Sequence, residues 1–378
     1  LKGIGLKDEL QVKDRTFQIT TGNDPSKNKV ASEVFEKGHF LFSLEENYHV
    51  RHTSSGEVDG DYLKRIAQEQ HQTAISDIRS LFVINEKIKQ LRQYLPHYRL
   101  GRVFYHRNFI PEAIDNFRRS TEINKDFIRG YQRLGLAYIK SGKYKAAVDT
   151  LMTAHKMKPA YPDVANAIAV AYTQMEDYSS ASTYLKKAID LKNDFDEANF
   201  NWGVVLFLSA LDERGGAVPA RLHRAFKNLR NSKRFSGDHW QEKFDATEEA
   251  LKSEDIGKRI KALLNIQREV LVNDDNTDIM DFFFLQFMYG GKEIKGQEVQ
   301  QFEELIMHEV ESHKEYADYW NELGVIHLIQ CREFFLKAIA EFEKSSKIDP
   351  NFESARRNTD MLQGNKQGFL ILLRAILR

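Results

Sequence analysis

The chain holds one cysteine, Cys331, in 378 residues. That excludes an intrachain disulfide and a cysteine-built zinc site, and it leaves the redox compartment undecided. Seven prolines are few, which suits long helices, because proline breaks the helical ladder. There is no net charge: Lys+Arg and Asp+Glu both number 55. Without a positive excess, nucleic acid and anionic membrane are disfavoured as partners of the whole chain, local patches aside. No stretch reaches the roughly 18 apolar residues of a membrane span. No secretory leader is visible, so the cytoplasm is the default compartment.

Catalytic signatures are missing too. G-x-S-x-G, H-E-x-x-H and paired Cys–His are absent. Gly290–Gly296 contains Gly and Lys without the phosphate-loop order G-x-x-x-x-G-K-[ST], and it reads as a turn between helices. His49-x-x-His52, His308 and His313 have no carboxylate or Cys neighbour at a ligand spacing. The reading is therefore a non-enzyme with no metal and no cofactor.

What is present is a period. Gly101, Gly135, Ala169 and Gly203 stand 34 residues apart. Leu100, Leu134, Ile168 and Trp202 precede them, and Phe104, Tyr138, Tyr172 and Leu206 follow three residues on. Further registered positions are Ala113, Ala147 and Ala181, then Phe117, Leu151 and Leu185, then Ser120, Ala154 and Ala188. Pro159 closes the second unit. Small residues at a fixed place let two helices cross closely, and large ones fill the space between turns. A single hairpin cannot bury its apolar face, so hairpins stack.

This pattern resembles the tetratricopeptide repeat, a 34-residue helix–turn–helix. A fifth copy is legible as Trp320, Leu323, Gly324, Ala338, Phe342 and Pro350, with extra residues at a turn over Gln330–Leu336. The fold class implied is mainly α: an α-solenoid of tetratricopeptide-like hairpins with a small N-terminal antiparallel β-meander.

The resemblance also implies a site, since the first helix of each pair lines the concave groove. Repeat one contributes Tyr98, Arg99, Arg102, Tyr105 and His106. Repeat two contributes Arg129, Gln132, Arg133, Leu136 and Lys140. Repeat three contributes Asp163, Asn166, Val170, Thr173 and Gln174, and repeat four Glu197, Phe200, Asn201, Val204 and Phe207. The floor runs from basic-aromatic through neutral to apolar. It suits an extended or helical protein segment, acidic at one end and apolar at the other. One subfamily clamps chaperone C-termini with Lys and Asn; Tyr98, Arg102 and Arg133 stand here instead, which argues against that clamp.

The rest of the chain divides as follows. Residues 1–14 read as a frayed leader within an N-terminal region 1–60. Arg15–Thr21, Lys29–Glu36 and His39–Val50 read as a three-stranded meander, with Phe17 and Ile19 on one face and with Phe40, Phe42 and Leu44 sharing a face. Residues 61–93 read as a long connecting helix, and 94–208 hold the repeats. Residues 209–316 read as divergent helical hairpins, 317–363 as the last repeat with a following helix, and 364–378 as a tail. Arg221, His223, Arg224, Lys227, Arg230, Lys233 and Arg234 make one basic helix; its plainest reading is a solvated face. The tail is apolar nearly all round. Phe369, Leu370, Leu372, Leu373, Ile376 and Leu377 are candidates either to cap the last hairpin or to dock on a second subunit as a homo-oligomer interface. The partner is thus a protein segment or the chain itself.

Overall fold

The protein is described from a computed structural model. The residues described are 5–50, 59–211, 218–235, 237–272, 279–290, 317–361 and a few within 299–311, with residue 368. The chain divides into two units, Leu1–Gly290 and Gly291–Arg378.

The first unit begins with four antiparallel strands rather than three: β1 Gly5–Val12, β2 Arg15–Asp24, β3 Lys29–Glu36 and β4 His39–Asn47, in that spatial order. The stretch expected to fray is β1, paired from Gly5 opposite Gly22 to Val12 opposite Arg15. Phe17 and Ile19 point into the core as the alternation requires, with Val30 and Val34 beside them. The pairing slips between Val34 and Phe35: Phe42 faces Val34, but Phe40 faces Phe35. A bulge of this kind turns the following side chain to the other face. Phe40 therefore does not share Phe42's buried face. It is half exposed and packs edge-on against Phe35 at 5.6 Å.

Helix α1, Gly60–Ile88, is capped by the Asp59 carboxylate, which accepts from the Tyr62 N–H. It covers the sheet with Ile75, Ile78, Leu81 and Phe82. His71 of α1 is buried, with Nδ1 2.7 Å from the Thr21 hydroxyl and Nε2 3.1 Å from Asp8. Thr21 in turn bonds Ser32. One polar chain thus ties β1, β2 and β3 to the helix.

Four helical hairpins follow. They are α2 Tyr94–His106 with α3 Ile110–Ile123, α4 Ile128–Lys140 with α5 Tyr144–Met157, α6 Pro162–Gln174 with α7 Tyr178–Leu191, and α8 Asp196–Ser209 with α9 Ala220–Asn231. The 34-residue register holds at the crossings. A Cβ on Gly101 would sit 2.6 Å from the Phe117 ring, and one on Gly135 would collide with Leu151. On Gly203 it would lie 3.0 Å from the Leu222 backbone. Leu222 takes the place that strict 34-residue spacing gives to Pro219, three residues earlier. The first three turns also agree: Asn108, Gly142 and Glu176 each have positive φ, again 34 residues apart. Gly135→Val is expected to cost about 1–3 kcal/mol, the range for overpacking a tight core, read as a lower urea midpoint with unchanged slope.

Two more helices complete this region, α10 Asp238–Lys252 and α11 Ile256–Val272. A short α12, Ile279–Leu285, runs into a π-turn at Gln286–Gly290. Helices α10 and α11 pack on each other, but α11 does not continue the stack. It packs on α4, α6 and α8.

In the second unit, α13 spans Ala317–Ile348 without a break. The turn expected over Gln330–Leu336 is helix. Among the described residues, no atom lies within 4 Å of the place a Cβ on Gly324 would occupy, unlike the glycines of the true crossings. Cys331 stands where the earlier turns place a residue of positive φ, and nothing from Gln330 to Leu336 is a Gly, Pro or Asn that would stop a helix. Because Gly324 lies exposed inside a helix, Gly324→Ala should stabilise this unit by about 0.5–1 kcal/mol, measurable by thermal unfolding. Among the described residues no helix is long and apolar enough to cross a membrane.

Candidate functional site: the concave wall

The first helices of the four hairpins, α2, α4, α6 and α8, carry the groove positions expected from sequence. In the structure several of those positions meet the chain's own helices α11 and α12. Helix α11 is about 25 Å long at 1.5 Å per residue, enough to cross helices spaced 8–10 Å apart. Its buried stripe is Leu263, Ile266, Gln267 and Val270, an i, i+3, i+4, i+7 pattern.

The contacts run from repeat four back to repeat one. Phe200, Val204 and Phe207 of α8 lie in one apolar cluster with Leu222, Phe226, Phe244, Leu263 and Ile266. Gln174 donates to the Leu264 carbonyl at 3.0 Å and lies 3.5 Å from the Gln267 side-chain oxygen. Asn201 donates to Asn166 at 2.8 Å, both buried. Thr173 is satisfied within its own helix by the Ala169 carbonyl. At repeat one the Tyr105 hydroxyl donates to the Val272 carbonyl at 2.6 Å.

Helix α12 continues the cover over α2. Arg102 Nη1 lies 3.1 Å from Asp281, and Arg99 Nε lies 3.8 Å from the same carboxylate. The Arg99 guanidinium stacks on Phe284 at 3.9 Å, and that of Arg107 on Phe282 at 4.0 Å. Tyr98 points instead between hairpins, against Phe117 and Phe127. Arg129 is exposed. The chain's own segments thus set a carboxylate, Asp281, at the repeat-one end and apolar side chains, Leu263 and Ile266, at the repeat-four end.

Sequence reading missed that these residues belong to the chain itself. Asp281, Phe282 and Phe284 read as one more helical segment, and Arg107 was not singled out. The signal lay in the apolar stripe of α11 and in a phenylalanine run beside a lone aspartate.

Among the described residues, part of the wall stays open. A cavity of about 230 Å³ is lined by Gln132, Arg133, Leu136, Asp163, Asn166, Phe195, Glu197, Asn201, Arg234, Val270 and Leu271. Within it Arg234 pairs with Glu197 at 2.6 Å, and burial raises the Asp163 carboxyl. The Asn201 side-chain oxygen is buried without a hydrogen bond.

Lys140 sits deeper. Its ammonium donates to the Tyr105 carbonyl at 3.3 Å and lies 4.6 Å from the Tyr105 ring. Burial lowers it from 10.5 to about 8, against the pull of Glu269. Below about pH 8 the lysine is charged in both folded and unfolded chains, and the full cost of burying charge is felt. Between about 8 and 10.5 the unfolded chain binds more protons, so stability rises with pH. Lys140→Met should therefore stabilise the fold at pH 7 by about 1–2 kcal/mol, after loss of the Tyr105 contacts. The gain should shrink towards pH 10.5 in denaturation curves.

The basic helix is only partly spoken for. Arg230 pairs with Asp245 and Glu248, and Arg234 with Glu197. Arg221 and Arg224 line an open cleft of about 440 Å³ with Asp196, Asn199 and Asn228. The tail candidates Phe369, Leu370, Leu372, Leu373, Ile376 and Leu377 lie outside the described residues. Among the described residues, no group of three His, Cys, Asp or Glu side chains is placed to hold a metal ion.

The tetratricopeptide repeat model matches residues 128–161 and 162–195, which are α4–α5 and α6–α7 with their connections. No curated protein sequence matches the chain. Among solved structures, a crystal structure of MamA is 19% identical over 42% of this chain and 91% of its own, with a TM-score of 0.35. A second MamA structure is 16% identical over 46% and 94%, with a TM-score of 0.36. YrrB, titled a TPR protein with an unusual peptide-binding site, is 17% identical over 50% and 95%, with a TM-score of 0.32. Residues 128–195 thus carry two tetratricopeptide repeats, flanked on either side by hairpins with the same glycine crossing.

Proposed function

We infer that the protein is a non-catalytic scaffold that recognises a protein segment through the concave wall of its helical hairpins. The observation that supports this is the wall's own occupant: side chains of the repeats hold helix α11 and the acidic–aromatic helix α12 by ion pairs, ring stacking and apolar burial. A surface built this way holds a segment at low entropic cost to itself, because its helices are fixed before anything binds. The open cavity around Arg133, Asn166 and Asn201 is where a partner reaches the wall without displacing anything. The test is a selection of displayed peptides on the full chain, repeated on Arg133→Glu and Asn166→Ala. Peptides taken up by the wild type should bind these variants at least 10-fold more weakly, since lost charge pairs and buried hydrogen bonds cost about 1.5–3 kcal/mol. Peptides that bind all three proteins equally would contradict the reading.

A second reading is self-assembly. The sheet order leaves β1 and β4 as outer strands, and an outer strand offers unpaired backbone to another copy. Light scattering separates the two: assembly through strands gives a concentration-dependent mass, lowered by Leu41→Pro in β4, because proline removes a backbone donor.

A further inference from the structure

We propose that Ile279–Gly290 is an internal stand-in for the protein's ligand, and that the partner for the repeat-one end of the wall carries the same chemistry: a carboxylate followed by aromatic residues at the next and third-next positions. The inference rests on the scaffold reading and names the partner class for one end of the same wall.

Three observations carry it. First, the seat is made by side chains of a binding face. Arg99 and Arg102, both expected from sequence to meet a ligand, converge on Asp281 at 3.8 and 3.1 Å. Arg99 also stacks on Phe284, and Arg107 on Phe282. A carboxylate in a fork of two guanidiniums, flanked by guanidinium–ring stacks, is a recognition geometry that an incoming peptide can reproduce atom for atom. Second, the occupant is weakly helical by itself. Helix α12 has seven residues and passes into a π-turn, and isolated helices of that length do not persist in water. Its conformation is imposed by the wall. Third, it lies outside the 34-residue hairpins, whose helices cross at Gly101, Gly135 and Gly203, and it packs on them through Phe282 and Leu285.

The test uses the full chain and a fluorescent peptide copying residues 277–292. In one variant Asp281→Lys, Phe282→Ala and Phe284→Ala release the internal segment. A second, milder variant is Asp281→Asn. The triple variant should bind the peptide at least 10-fold tighter than the wild type, whose seat is filled, and Asp281→Asn should fall between. Adding Arg102→Glu to the triple variant should abolish binding, and a peptide with lysine in place of the aspartate should not bind. Peptide binding no tighter than wild type in folded variants overturns the proposal. So does loss of helical circular dichroism in both variants, which would make the segment an obligatory part of the core. Either failure leaves the scaffold reading standing, because the cavity of the peptide selection is lined by none of residues 279–290.

Discussion

Phe200→Ala should lower the stability of the chain by about 3–5 kcal/mol, the usual cost of emptying a buried phenylalanine site. Sequence places Phe200 on the groove floor, where a ligand-facing aromatic would be exposed and its loss nearly neutral for folding. In the structure it is fully buried, 5.9 Å from the Phe226 ring, in the cluster that also receives Leu263 and Ile266 of α11. The cavity left behind is walled by α8, α9 and α11, so the surroundings have little room to collapse. Urea denaturation at neutral pH checks this. A change below about 1 kcal/mol, the scale of a surface substitution, would mean that α11 does not cover the wall.

Arg15→Met should cost a similar amount, about 3–5 kcal/mol, because removing one partner strands the others. The Arg15 guanidinium bonds both oxygens of Glu36 at 2.6 Å, meets Glu112 in the first turn of α3, and lies 5.1–5.3 Å from the rings of Phe17, Phe82 and Phe109. It joins the sheet, α1 and the first hairpin at one point. The Arg15 hydrogen bonds hold the Glu36 carboxyl below its ordinary 4.5. Burial pushes Glu112 the other way, above 4.5, in spite of Arg15. A carboxyl with a lowered folded value stabilises above its unfolded value, and the contribution fades as pH falls through the folded one. The Glu36 share of the Arg15→Met effect should therefore be full at pH 7 and shrink below about pH 4.5, in unfolding curves of both proteins at pH 7 and 3.

The repeats were legible because their signal is steric and repeats in register. Gly101 and Gly135 can be nothing larger where Phe117 and Leu151 cross them, and that requirement shows in the letters. Strand β1 was not legible, since Leu10 is its only fully buried side chain and Lys7, Asp8 and Glu9 face solvent or edge. Its order comes from pairing with β2, which no local pattern reports. The apparent fifth repeat failed for the opposite reason. Trp320, Gly324 and Ala338 keep the spacing, but no turn residue interrupts Ala317–Ile348. As for the site, sequence put Arg99, Arg102 and Phe200 on the first helices of the hairpins, where the structure also has them. It did not find that Asp281 and Leu263 meet them, because a contact between Arg102 and Asp281 spans most of the first unit and leaves no periodic trace.

The central claim is that α11 and α12 lie along the wall made by the first helices of their own hairpins. A photo-cross-linking amino acid in place of Gln174, whose side chain reaches the Leu264 carbonyl, tests it directly. The account predicts a link to the peptide containing Leu264–Gln267 of the same chain, with a yield independent of protein concentration. A link that misses α11, or one that appears only between two copies as concentration rises, would contradict it.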